Sequence, residues 1–132
     1  MRRKPRLTPA EWEIMESVWS VGGSPSVREV LKHAFPKGKK AYTTVQTIMN
    51  NLVVKGYLRR DKTGMVNFYS PLKTRRQVVK RETSNLVSRV FHGSVPALAS
   101  HLLRSEDLTL EEIKEIKDML EKRAEELRRG KR

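Results

Sequence analysis

The chain contains no cysteine, which excludes disulfides, thiolate metal sites and thiol redox sensing and suits a reducing cytosol. Long apolar runs are missing too. No stretch approaches the length of a membrane span, so the expectation is a cytoplasmic protein with no membrane insertion. The opening Met1-Arg2-Arg3-Lys4 has the charge of a signal-peptide n-region, but Glu11 and Glu13 fall where an apolar h-region would run. The segment therefore reads as an exposed basic arm. His33, His92 and His101 are widely spaced, with no H-x-x-x-H or H-E-x-x-H pair. The expectation is no catalytic residue, no metal and no cofactor, and thus not an enzyme; His33 reads as a solvated helix-end residue.

The most informative absence is local. From Lys39 to Gly56 there is no carboxylate, whereas an ordinary solvated helix mixes Glu with Lys. Val45, Ile48, Met49 and Leu52 recur at i, i+3, i+4 and i+7, one apolar stripe facing a core. The helical period places Thr43, Thr47 and Asn50 on the opposite face, with Gln46 and Asn51 at its margins and Val54 a turn further on. Amides and hydroxyls of this kind can bond base edges, and a Thr methyl can touch a thymine methyl. Lys39 and Lys40, at the helix entrance, suit phosphates.

Charge is unevenly spread within the total of +13. Residues 1 to 73 hold 14 Lys+Arg against 5 Asp+Glu (+9), residues 74 to 92 hold 5 against 1 (+4), and residues 93 to 132 hold 9 against 9. A basic first part joined to a charge-balanced second part fits a polyanion-binding module carrying an assembly device.

Along the chain, Thr8-Pro9-Ala10-Glu11 is a capping box with Pro at N1, opening a helix whose Trp12, Met15, Val18 and Trp19 point to a core and which ends at Gly22-Gly23. Ser26-Val27-Arg28-Glu29 opens a second helix through Val30, Leu31 and Ala34. The Thr-rich helix follows and stops at Lys55-Gly56. The period then changes. Tyr57 to Asp61 and Met65 to Ser70 read as two strands around a basic tip, Lys62-Thr63-Gly64, with Leu58 on one face of the first strand and Val66 and Phe68 on one face of the second.

Three helices followed by a hairpin form a winged helix-turn-helix, here expected over residues 1 to 73, with Tyr42 to Lys55 as recognition helix. Base contacts are expected from Thr43, Thr44, Gln46, Thr47 and Asn50. Backbone contacts are expected from Lys39, Lys40, Tyr42, Arg59, Arg60 and Lys62. Residues 74 to 132 read as three helices, the last opened by the capping box Thr109 to Glu112 and carrying Ile113, Ile116, Leu120, Ala124 and Leu127 as a coiled-coil-like seam. About sixty residues of short helices bury too little apolar surface alone. A homodimer is expected, with Leu98, Leu102, Ile113, Ile116 and Leu120 in its interface. The fold class is mainly α with a small β-hairpin. Double-stranded DNA is the expected partner, and the alternative is an RNA- or ribosome-associated winged helix that uses the same basic surface on shape rather than sequence.

The chain also resembles the bacterial penicillinase and methicillin-resistance repressors (BlaI/MecI type). The resemblance lies in Leu7-Thr-Pro-Ala-Glu-Trp-Glu-Ile-Met, Thr43-Thr-Val-Gln-Thr-Ile, Lys55-Gly-Tyr-Leu, Phe68-Tyr-Ser-Pro and Phe91-His-Gly, and covers nearly the whole chain. It implies a dimeric repressor on a palindromic operator, released when a membrane sensor protease responding to a cell-wall antibiotic cuts the dimerisation domain at an Asn-Phe bond. The matching position here reads His101-Leu102.

Overall fold

A computed structural model of the chain describes residues 6–130; the basic arm expected at residues 1 to 4 lies outside them. The elements run α1 (Pro9–Val21), α2 (Val27–Ala34), α3 (Tyr42–Val54), β1 (Leu58–Thr63), β2 (Val66–Pro71), α4 (Arg75–Val90), α5 (Val95–Leu103) and α6 (Leu110–Gly130). Two compact units divide between Arg81 and Glu82, inside α4. The expected boundary at 73/74 lies eight residues earlier. The first turns of α4 belong to the N-terminal unit because Val78 is buried in its core.

In the N-terminal unit, α1, α2 and α3 pack against one another and against the hairpin. The Thr8–Glu11 and Ser26–Glu29 capping boxes both form, each satisfying amides that a helix start leaves free. Helix α1 buries Glu11, Ile14, Met15 and Val18, the i, i+3, i+4, i+7 stripe, while Trp12 and Trp19 are partly buried beside it. The tryptophans meet edge to face at 6.0 Å, and Trp19 Nε1 donates to the Lys73 carbonyl at 2.9 Å. They flank the core rather than fill it, because each keeps a polar edge and Ile14 occupies the inner position.

Helix α3 buries Val45, Met49 and Leu52 completely. Each such side chain contributes about 1.5–3 kcal/mol of burial, so rotating the helix would cost more than any single polar contact on its other face. A Schellman motif ends it: the Gly56 amide donates to the Val53 carbonyl at 3.1 Å and the Tyr57 amide to Leu52 at 2.9 Å. Gly56 has φ +86°, where a Cβ would be strained.

The hairpin is antiparallel, with Arg60 opposite Tyr69 and Thr63 opposite Val66. The tip is therefore Gly64-Met65, with glycine first and φ +63°, as a type II′ turn requires. This corrects the expected tip at Lys62–Gly64, since Lys62 and Thr63 are paired strand residues. The inward face of β2 also differs from the expected Val66 and Phe68. Tyr69 is fully buried while Val66 is 44% exposed, because this register sets Tyr69 beside Leu58 and Arg60 on the core side. The Tyr69 amide donates to the Pro25 carbonyl at 2.9 Å, and Ser26 bridges to Phe68, so the segment before α2 edges the hairpin.

In the C-terminal unit Ser94 caps α5 and the Thr109–Glu112 pairing caps α6. Neither helix buries a residue within one chain. Leu102, Leu110, Met119 and Leu120 all stand more than half exposed.

Two ion pairs cross the N-terminal unit among the described residues: Arg75 Nε meets Glu16 Oε1 at 2.7 Å on the surface, and the other is largely enclosed. Lys55 Nζ meets Glu11 Oε1 at 2.6 Å and also donates to the Arg6 carbonyl at 3.0 Å, tying the end of α3 to the start of α1. Burial alone would raise the Glu11 pKa, but hydrogen bonds from Lys55 and the Thr8 amide, with the lysine's charge, outweigh it and hold the carboxyl below its ordinary range. A depressed acid contributes stability above its unfolded pKa and loses that contribution as pH falls through the folded one. Glu11→Gln is expected to cost about 1–3 kcal/mol at neutral pH. Urea midpoints measured against pH are expected to converge for variant and wild type on acidification; a pH-independent gap would contradict the pairing.

Candidate nucleic-acid interface

With the apolar stripe of α3 buried, Thr43, Thr44, Thr47, Asn51 and Val54 are all exposed and Gln46 and Asn50 are half-buried at the edges. The expected outward face is thus brought together on one helix, and no acidic side chain lies in its sequence. Its members differ in what they still have to offer. Thr47 Oγ1 donates to the Thr43 carbonyl one turn back at 2.9 Å, so its proton is committed and its methyl and lone pairs remain. The Gln46 side chain makes no hydrogen bond among the described residues and keeps both halves of its amide. Asn50 is different: its Oδ1 accepts from Tyr69 OH at 2.8 Å and from Arg60 Nη1 at 2.9 Å.

The basic residues fall into separate groups. Lys39 and Lys40 are exposed just before α3, which has no side-chain cap at Ala41, so its first amides remain open. On β1, alternation puts Arg60 and Lys62 on the Leu58 side and Arg59 on the other, where its Nε meets Asp61 Oδ2 at 3.0 Å. The three hairpin cations expected to act together therefore do not share a face. Burial pushes the Tyr69 phenol above its ordinary pKa, with Arg60 working the other way, so the hydroxyl stays a donor.

Two contributors escaped the sequence reading. Arg28 sits with its guanidinium carbon 5.7 Å from the centre of the Tyr42 ring, fixing that half-exposed ring at the entrance of α3. A groove of about 340 Å³ opens here, between the start of α2, the first turns of α3 and the hairpin tip, with Arg28, Tyr42, Gln46 and Met65 in its lining. The signal for Arg28 was its place in the first turn of a capped helix, which turns it away from Val27 and Val30. Tyr69 was the second, hidden because it lies next to an equally aromatic Phe68.

His33, read as a solvated helix end, is exposed, and its Nδ1 lies 3.1 Å from Ser17 Oγ. Among the described residues no group of His, Asp and Glu could hold a metal ion, and no helix is long and apolar enough to cross a membrane. His101 and Leu102 lie on α5, both exposed within one chain, with the His101 ring 6.0 Å from Phe91.

The family model described as Penicillinase repressor matches residues 7–122. The penicillinase repressor of Bacillus licheniformis is 27% identical over 121 residues, which span 92% of this chain and 94% of that protein. The methicillin resistance regulatory protein MecI of Staphylococcus aureus is 24% identical, over 89% of this chain and 94% of its own. The solution structure of monomeric Bacillus licheniformis BlaI in complex with the blaP half-operator is 30% identical, covering 58% of this chain and 93% of that one with a TM-score of 0.47. The match to the family model runs from the first residues of the capped α1 well into α6, and the chain belongs to the penicillinase repressor family, a family of transcriptional repressors and not of enzymes.

Proposed function

We propose that this repressor binds a palindromic DNA operator as a homodimer, with α3 in the major groove, and blocks a promoter by occupying it. The observation that carries the reading is the acid-free polar face of α3, held outward by the buried Val45, Met49 and Leu52. Thr43, Thr44, Gln46 and Thr47 read base edges; Lys39, Lys40, Tyr42, Arg59 and Lys62 hold phosphates, which set register without reading sequence. Membership of a family of transcriptional repressors favours DNA over RNA as the partner. Selecting duplexes from a randomised pool with the full chain is expected to enrich an inverted repeat whose half-sites lie about one helical turn apart. An RNA duplex of the same sequence that competes equally well would overturn the reading.

Because the Thr47 proton is committed to Thr43, the side chain reads through its methyl. Thr47→Val is expected to keep the base preference of the selected duplex, while Thr47→Ser relaxes it by about 1–3 kcal/mol at one base pair. Lys39→Ala is expected to weaken all duplexes alike. Fluorescence anisotropy on selected and scrambled duplexes separates these; equal losses for Ser and Val at position 47 would reject methyl readout.

Dimerisation is assigned to the C-terminal unit. Supporting it are the exposed apolar side chains of α5 and α6, among them Leu102, Ile113 and Leu120, together with the half-buried Leu98 and Ile116. A second copy is the partner whose like surface would cover them. The combined Ile116→Asp and Leu120→Asp variant is expected to sediment as a monomer with unchanged near-ultraviolet signal from Trp12 and Trp19. A variant that stays dimeric would remove the α6 seam from the interface.

Release by a membrane sensor protease is part of the same proposal. The α5 segment around His101-Leu102 is the candidate place for the cut, reached when that helix opens locally, and the cut would separate α6 from the DNA-gripping unit and remove the avidity of paired half-sites.

A further inference from the structure

Resting on the reading of α3 as the base-reading helix, we infer that Asn50 is a positioning residue that pins the hairpin to the middle of that helix through Tyr69 and Arg60, and does not itself read a base. An amide oxygen has two lone pairs, and both are engaged here, by Tyr69 OH at 2.8 Å and Arg60 Nη1 at 2.9 Å. The orientation of the amide is dictated by chemistry. A guanidinium can only donate, so the oxygen and not the nitrogen must face Arg60. Reading adenine needs the acceptor and the donor of one amide together, and Asn50 has only its Nδ2 protons left. Gln46 retains both.

What the contact does follows from where its donors sit. Arg60 and Tyr69 are directly opposite each other in the hairpin, so one oxygen on α3 clasps both strands at the same rung. Tyr69 is fully buried, and without Asn50 its hydroxyl would be left beneath the hairpin with no acceptor. The hairpin is only two strands, a size that gains its order from what it packs on. Asn50 thus sets the angle between the element that enters the groove and the one that lies along the backbone, and it influences affinity through the hairpin's cations.

The test uses the full chain and the variants Asn50→Ala, Tyr69→Phe and the two combined. In the free protein, hydrogen exchange of the hairpin amides is expected to lose about tenfold protection in Asn50→Ala, somewhat less in Tyr69→Phe, which leaves the Arg60 bond in place, and little more in the double variant than in Asn50→Ala, because both substitutions remove the shared Tyr69–Asn50 bond. Asn50→Asp restores protection, since a carboxylate accepts from both donors. On DNA, the duplex selected by the wild type and a scrambled duplex of equal length are expected to weaken by the same factor in Asn50→Ala, leaving their affinity ratio unchanged. Wild-type hairpin protection in Asn50→Ala, full additivity with Tyr69→Phe, or a fall in the ratio would each overturn the assignment. Tyr69→Phe preserves the packing volume, so it carries both readouts if Asn50→Ala does not fold. If the wild type prefers neither duplex, the repressor reading fails, and exchange in the free protein still decides the role of Asn50.

Discussion

The burial of Val45, Met49 and Leu52 is the constraint on which the rest of this molecule depends. Three fully enclosed side chains on one stripe leave α3 a single rotational setting, and that setting decides which residues meet solvent. The outward face therefore needs no order of its own. Thr43, Thr44 and Thr47 are displayed because the enclosed stripe of Val45, Met49 and Leu52 turns that side of the helix away from the core. Three further contacts hold this helix at its two ends and its middle: Arg28 on Tyr42 at the entrance, Asn50 with Tyr69 halfway along, and Lys55 with Glu11 at the exit.

These three fastenings differ in physical kind. The Tyr42 contact is partly exposed, so it positions more than it stabilises. The Glu11 carboxylate is buried, and leaving it unpaired would be costly, which makes Lys55 obligatory rather than helpful. Tyr69 combines both roles, with a fully buried ring and a hydroxyl spent on α3. The C-terminal unit follows the opposite logic. Its helices are well capped and charge-balanced yet enclose no core within one chain, so its apolar residues stay open to solvent there.

The elements legible in the sequence were those specified locally. Capping boxes at Thr8, Ser26 and Thr109 sit within four residues of their partners, and the glycine that ends α3 needs only its own dihedral angle. The stripe of α3 was legible because period and chain direction fix it. What escaped depends on partners far along the chain. Glu11 read as a cap alone, since its second partner lies 44 residues away. The choice between Phe68 and Tyr69 for the inward face was set by a register that turns on one residue in the tip, and a one-residue slip exchanges the faces of a strand. Asn50 looked like its neighbours on the outward face; only the placement of Arg60 and Tyr69 distinguishes it. The division of the chain inside α4, after Arg81, was hidden because a helix period carries no mark where its packing partners change.

Whether α3 meets DNA through its acid-free face is decided by a nuclear magnetic resonance titration of the full chain, labelled at threonine methyl groups, with the duplex it selects. The methyl signals of Thr43, Thr44 and Thr47 are expected to shift together and show contacts to base protons of the major groove, while those of Thr8 and Thr109 stay in place. Unmoved Thr43, Thr44 and Thr47 signals in a saturated complex would contradict that expectation, because the acid-free face of α3 would then not be the surface that meets DNA.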